Sequence, residues 1–298
     1  MRARKEISSD EATPPFDVLS PAEITSPVLY ASPHSGTVYP DSFVRASALD
    51  ARTLRRSEDS FVDDLFAAAP RYGSPLLRAL YARVYLDVNR EPFELDPAMF
   101  EDELPPHINT TSLRVAGGLG TIARVVADGA EVYRDKLPYA EAERRVRKIY
   151  YPYHRALQDL IDRTRELFGC AILIDCHSMP SMGSPSERDG GRRRPDVVLG
   201  DRFGTTCGAA VIDLIHSTLA GFGYLVGRNN PYAGGFTTYH YGRPAQGVHV
   251  VQIEVNRGVY MDEEQIAKLP GFDTVVGHVT SLIRTLAGID TAPLTALR

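Results

Sequence analysis

Two histidines stand at the ends of apolar runs, and each is followed by serine: His34 in SPVLYASPHSG and His177 in ILIDCHSMPS. Neutral imidazole suits zinc, and a catalytic zinc takes three protein ligands and keeps an open position. Read alone, either histidine is more often a hydrogen-bonded structural group than a ligand; the two together, each at a strand end and followed by serine, bring the readings towards even. Asp175 precedes His177 by two residues, so on an extended strand both side chains share a face. There it either supports the imidazole behind a metal or forms a turn. Glu254, in VVQIEVNRG, lies between Ile253 and Val255. A carboxylate so placed is expected to be partly desolvated, which raises its pKa and suits general acid–base work. The alternative is a buried ion pair with an arginine such as Arg257. Asn89 and Arg90 close LDVNR, where a guanidinium fork beside an amide suits a bidentate grip on a carboxylate or a structural pair. Residues 229–244, NNPYAGGFTTYHYGRP, combine paired glycines with polar aromatics and His240. That pattern fits a lid or substrate-contact loop, or a plain connector. Nucleophile-elbow, phosphate-loop, HExxH and dinucleotide motifs are all missing.

These residues need elements to carry them. Apolar runs predict strands at 27–31, in SPLLRAL, in ARVYLDVN, at 171–175, in PDVVLGD, in YLVGRN and in HVVQIEVNR. The last is near-continuously apolar, as a central strand should be. Helical spacing of Leu54, Phe61, Leu65 and Phe66 predicts an amphipathic helix over 50–70, stopped by Pro70. A long helix is expected over 139–168, kinked or divided by Pro152 and capped by Gly169. TTCGAAVIDLIHSTLAG and residues 263–287 read as further helices, and 92–120 as loops. The βα alternation predicts an α/β fold: a single-domain, mixed, mostly parallel sheet with helices on both faces. Residues 1–15 read as a flexible polar leader and 16–298 as the one folded domain.

The bulk numbers close off several classes. A charge of -5 and a pI near 5.9 leave no basic footprint for nucleic acid or an anionic membrane. GRRRPD, residues 191–196, reads as a solvated loop. No run approaches the roughly 18 apolar residues of a membrane helix, and the N-terminus lacks an apolar signal core. Cys170, Cys176 and Cys207 form no CxxC pair, so a disulfide framework is not expected and the cytoplasm is the natural compartment. Nothing in the sequence sets the oligomeric state.

SPHSGTVYP, SEDSFVDDLF, LDVNREP, DCHSMPS, DVVLGDRFGTTC and VQIEVNRGVYMDE occur in this order over residues 27–263. Together they resemble the N-formylglutamate amidohydrolase family, which is similar in fold to the zinc carboxypeptidases and the N-acyl amino acid deacylases. The resemblance implies a phosphorylase/hydrolase-like α/β fold and zinc-dependent cleavage of N-formyl-L-glutamate to formate and L-glutamate, in histidine breakdown. Other N-acyl amino acids or small peptides would use the same machinery. A metal-free binding protein and a structural metal site are the non-enzyme alternatives. By the resemblance, His34 and His177 match the zinc-binding histidines, Asn89 and Arg90 the pair that receives the α-carboxylate, and Glu254 the general base. Zinc carboxypeptidases carry a glutamate three residues after the first histidine, where this chain has Thr37. A carboxylate of SEDSFVDD is expected in its stead: Asp59 first, with Glu58 and Asp63 open. Arg90, His240 or Tyr241 would face the oxyanion, and Arg257 or Arg243 a glutamate side chain.

Overall fold

The computed structural model describes residues 13–126, 129–184 and 189–296; the expected leader lies almost wholly outside them. In chain order the elements are β1 (Phe16–Leu19), β2 (Val28–Ser32), α1 (Asp41–Ala46), α2 (Ala51–Arg55), α3 (Val62–Leu65), β3 (Leu76–Ala79), α4 (Leu113–Ala116), α5 (Tyr139–Arg145) and α6 (Tyr151–Phe168). They continue with β4 (Ala171–Met179), β5 (Val197–Gly200), α7 (Ala209–Gly221), β6 (Val226–Arg228), α8 (Phe236–Tyr241) and β7 (Val248–Asn256). A small hairpin, β8 (Met261–Asp262) and β9 (Ala267–Lys268), leads into α9 (Phe272–Ala287).

Seven strands form one sheet in the order β1-β3-β2-β4-β7-β5-β6. Strands β3, β2, β4 and β7 run parallel; β5 is antiparallel to β7, and β6 is parallel to β5. The fold is therefore a mixed α/β one with a mostly parallel sheet. β4 and β7 are buried along their whole length, which is why both read as apolar runs. Val28, Tyr30, Ile172, Ile174, Cys176, Val251 and Ile253 pack in one apolar cluster with Val62 and Leu65 of α3, Val211 and Ile215 of α7, and Leu282 and Leu286 of α9. Strand alternation then turns the intervening residues to the opposite face. Those residues are Asp175 and His177 of β4, in register with Gln252 and Glu254 of β7.

The chain divides into two compact units. One, which includes Val18–Ser32, Asp59–Arg78 and the chain from Ala156 onward, holds this cluster. The other, which includes Pro33–Glu58 and Ala79–Arg155, has its own cluster of Leu95, Met99, Phe100, Ile108, Ile122, Leu137 and Ala142.

Three elements depart from expectation, while the long helix is divided as expected. The helix expected over 50–70 is broken between α2 and α3, and Phe61 in the gap has φ 68°, a left-handed conformation unusual for an aromatic residue. Leu54, Phe61, Leu65 and Phe66 are buried all the same. ARVYLDVN is buried but forms turns rather than a strand: Tyr85 and Leu86 donate to the Ala82 carbonyl, and Asp87 Oδ1 accepts the Asn89 N–H. The long helix is divided by a π-helical turn at Val146–Tyr150, just ahead of Pro152, which has no N–H for the helix ladder. The last helix starts at Phe272, after the hairpin and Pro270. No helix among the described residues is long and apolar enough to cross a membrane.

Candidate metal centre

His177 lies near the carboxyl end of β4, where the parallel strands of an α/β sheet deliver ligand-binding groups. Its Nε2 is 2.9 Å from Oδ2 of Asp175 on the same strand, and its Nδ1 is 3.1 Å from Oδ2 of Asp59. Burial opposes charge on the ring, but Asp175 and Asp59 outweigh it and hold the pKa well above the usual histidine value. Asp59 follows the α2 terminus, in the break before α3. Its other oxygen, Oδ1, accepts from Arg257 Nη2 at 3.1 Å, while Arg257 Nε donates to Ser178 Oγ. A continuous helix through 57–61 would give Asp59 a different direction; the left-handed Phe61 belongs to the turn that presents it.

His34 follows β2 by two residues. The glycine of PHSG is required by packing, because a Cβ on Gly36 would come within 2.3 Å of the Tyr81 carbonyl oxygen. His34 Nε2 lies 2.7 Å from Asp87 Oδ1. Asp87 is buried, yet Arg83, Arg90 and His34 hold its carboxyl well below the usual range against the opposing effect of burial. Arg83 Nη2 donates to Asp87 Oδ2 at 2.6 Å. The turn that follows is clamped by side chains of the divided helix. Arg145 donates to the Tyr85 carbonyl, His154 Nε2 to the Val88 carbonyl and the Tyr150 hydroxyl to the Arg90 carbonyl. Burial brings the pKa of Arg90 down to about 10, so the guanidinium is charged at neutral pH. Two of its five N–H groups donate to the Leu119 and Asn89 carbonyls.

Among the described residues, one group could hold a metal ion: His34, Asp59 and His177, all buried, with one ligand atom from each within 4.8 Å of the others. The donor set fits a divalent cation, since two imidazoles and a carboxylate with a further position open make a usual catalytic site. The surroundings fit as well. Each imidazole has a carboxylate at Nε2, Asp87 for one and Asp175 for the other, which fixes ring orientation. Glu58 and Asp63, the open alternatives to Asp59, are engaged elsewhere: Glu58 with Tyr39 and Arg55, Asp63 with Arg78.

A profile of the N-formylglutamate amidohydrolase family matches residues 26–261. The chain belongs to that family. An N-formylglutamate deformylase of Pseudomonas aeruginosa is 32% identical over 253 residues, 83% of this chain and 87% of that protein. One from Pseudomonas putida is 30% identical over 242 residues, 80% of this chain and 83% of its own length. The crystal structure of an N-formylglutamate amidohydrolase from Ralstonia eutropha JMP134 superposes with a TM-score of 0.85 at 36% identity, covering 92% of this chain and 98% of that one.

The remaining candidates from the family resemblance are distributed as follows. Glu254 is 6% exposed, stands beside His177 in the β4–β7 register, and accepts at Oε1 from Gln252 Nε2 at 2.7 Å. Arg257, expected to meet a substrate, is held by Asp59 and Ser178. The segment 229–244 is not a bare loop, since it contains α8, on which His240 stacks against Phe236. Burial and Arg243 lower the pKa of His240. Tyr241 is buried, and Arg243 is exposed and donates to the Tyr239 and Gly242 carbonyls. Two residues with clear places in this arrangement were given no role by the sequence reading. Gln252 could have been found from its spacing, because Q-x-E on β7 repeats the D-x-H of β4. The contact of Asp87 with His34, 53 residues away, leaves no local signal.

Proposed function

We propose that the protein is a zinc-dependent amidohydrolase that cleaves N-formyl-L-glutamate to formate and L-glutamate, a late step of histidine breakdown, and that it works in the cytoplasm. The observation that carries this is the buried His34, Asp59 and His177 group in a chain of this family. The names and extent of the relatives support the substrate, and three free, buried cysteines fit a reducing compartment.

His34, Asp59 and His177 would hold the ion. When bound, zinc supplies Lewis acidity to water and to the amide carbonyl. Glu254 takes a proton from the water that attacks the formyl carbon, and returns it to the amide nitrogen as the C–N bond breaks. The formyl group leaves as formic acid, whose proton passes to the released amine, so formate and the ammonium form of glutamate result and atoms and charge balance. Asn89 and Arg90 receive the α-carboxylate. Arg90, His240 or Tyr241 donates to the developing oxyanion, and Arg257 or Arg243 meets the side-chain carboxylate. Asp175 keeps the His177 ring in place.

Metal content after dialysis, measured beside formate release, tests the reading. The expected result is about one zinc per chain and a clear preference for N-formyl-L-glutamate over N-acetyl-L-glutamate and N-formyl-L-aspartate. Glu254→Gln is expected to keep the metal and lose roughly 100- to 10,000-fold in kcat. Zinc with activity on another acyl amino acid alone would keep the chemistry and discard the substrate. Absence of both metal and hydrolysis would leave a binding protein of the same fold.

A further inference from the structure

Glu254 has a support that no role assigned above explains. Gln252 lies two residues earlier on β7, on the same face, and is 5% exposed. Its Nε2 donates to Glu254 Oε1 at 2.7 Å, and its Oε1 accepts the Gly235 N–H at 2.7 Å. The orientation of the amide is fixed from both ends. A backbone N–H can only donate, so it demands the oxygen; an ionised carboxylate can only accept, so it demands the nitrogen.

Gly235 is itself held. It is the residue before α8, and its carbonyl accepts from the Tyr239 N–H. The backbone just before it is pinned twice from the turn after β5: the Arg202 N–H donates to the Ala233 carbonyl and Arg202 Nη1 to the Gly234 carbonyl. Gly200, the last residue of β5, admits this segment because a Cβ there would lie 2.7 Å from the Ala233 carbonyl carbon. Gly234 has φ +119°, a conformation that L side chains rarely adopt.

We propose that Gln252 is a positioning residue for Glu254: its amide carries the fixed placement of Gly235 and the turn before α8 to the carboxylate, which is held in one rotamer facing the reaction. The proposal rests on the reading of Glu254 as the base. A carboxylate on a three-bond stem otherwise samples several rotamers, and a base acts when within hydrogen-bond reach of the proton it takes. Gln252 thus links residues 229–244 to the chemistry by anchoring and not by closure.

A double-substitution cycle on the metal-loaded full chain tests this, with metal content and thermal unfolding followed alongside. Gln252→Met removes both hydrogen bonds at similar volume. In the wild-type background it is expected to lower kcat by roughly 10- to 100-fold, the range for losing a hydrogen bond to a charged group. KM should stay within about twofold and the metal content unchanged. In a Glu254→Gln background the same change should have almost no further effect on kcat, because the group it positions is gone. An equal loss in both backgrounds, or none in either, overturns the positioning role while leaving the base reading intact. Full activity in Glu254→Gln alone overturns the base reading and this proposal with it. If Gln252→Met fails to fold, Gln252→Leu, which likewise removes both hydrogen bonds, takes its place in the same cycle. The same kcat loss is expected there, and wild-type kcat in that variant overturns the proposal.

Discussion

Two buried histidines on neighbouring strands of one sheet have opposite chemistry. His177 lies near the carboxyl end of β4, and His249 lies at the amino end of β7, opposite Ile172. His177 has a carboxylate at each ring nitrogen, and its pKa is raised against the effect of burial. His249 has backbone at each: Nδ1 accepts the Gly208 N–H at 3.0 Å and Nε2 donates to the Leu294 carbonyl at 2.8 Å. Burial lowers its pKa, and the bond to Leu294 offsets this only in part. Burial alone therefore does not set the chemistry of a histidine; the charge of its partners does. Carboxylates make a ring that attracts a cation, whereas one N–H and one C=O fix a neutral tautomer. The sheet keeps the two kinds apart, with the cation-attracting ring at the end where α/β folds bind ligands.

The contrast is broken most severely by removing the cation-attracting ring. His177→Gln is expected to abolish stoichiometric metal and to lower kcat/KM by about a thousandfold or more, since a metal ion supplies several kcal/mol to such a reaction at about 1.4 kcal/mol per factor of ten. Elemental analysis of the folded variant is the check, and retained metal would remove His177 from the ligand set. A smaller effect sharpens the same point. Asp175→Asn leaves a neutral partner at Nε2 and should weaken metal affinity or activity by about 10- to 100-fold, measured by chelator competition. Asp87→Asn should do the same through His34. If neither moves the affinity, the two carboxylates serve the fold and not the ion.

How far the sequence reveals this site depends on the distance over which each residue acts. His177, Asp175 and Glu254 are legible because strand alternation and an apolar run are local features. Each of these residues interrupts its run at a place where a polar side chain needs a reason. The family resemblance adds Asp59, but the break that presents it is invisible in the spacing. Leu54, Phe61, Leu65 and Phe66 keep helical periodicity across the gap because all four are buried. Periodicity reports burial, and continuity of the helix is a separate matter settled here by the turn at 57–61. ARVYLDVN carries the same lesson, since its apolar residues are buried in turns whose hydrogen bonds go to Asp87 and the Ala82 carbonyl. The antiparallel placement of β5 against β7 is likewise beyond a reading of single segments, because strand direction is set by connections and not by composition.

His249 supplies the mildest and most selective test. Its substitution by alanine leaves the Gly208 N–H and the Leu294 carbonyl without their buried partner, which costs about 1–3 kcal/mol per orphaned group before any relaxation. Metal content and kcat should stay at wild-type values at temperatures where the variant is folded, in contrast to every substitution around His177. The pH dependence gives a second readout. The folded pKa of His249 lies below the unfolded value of about 6.5, so the unfolded chain binds the proton first. The contribution of the neutral ring is fully present above about pH 6.5 and is lost as pH falls through the depressed folded value. Wild-type Tm should thus decline on acidification below pH 6.5 more steeply than that of His249→Ala, which has no such proton to take up. Parallel Tm profiles for the two proteins, or loss of metal in the variant, would put His249 outside the structural role and erase the distinction between the two ends of the sheet.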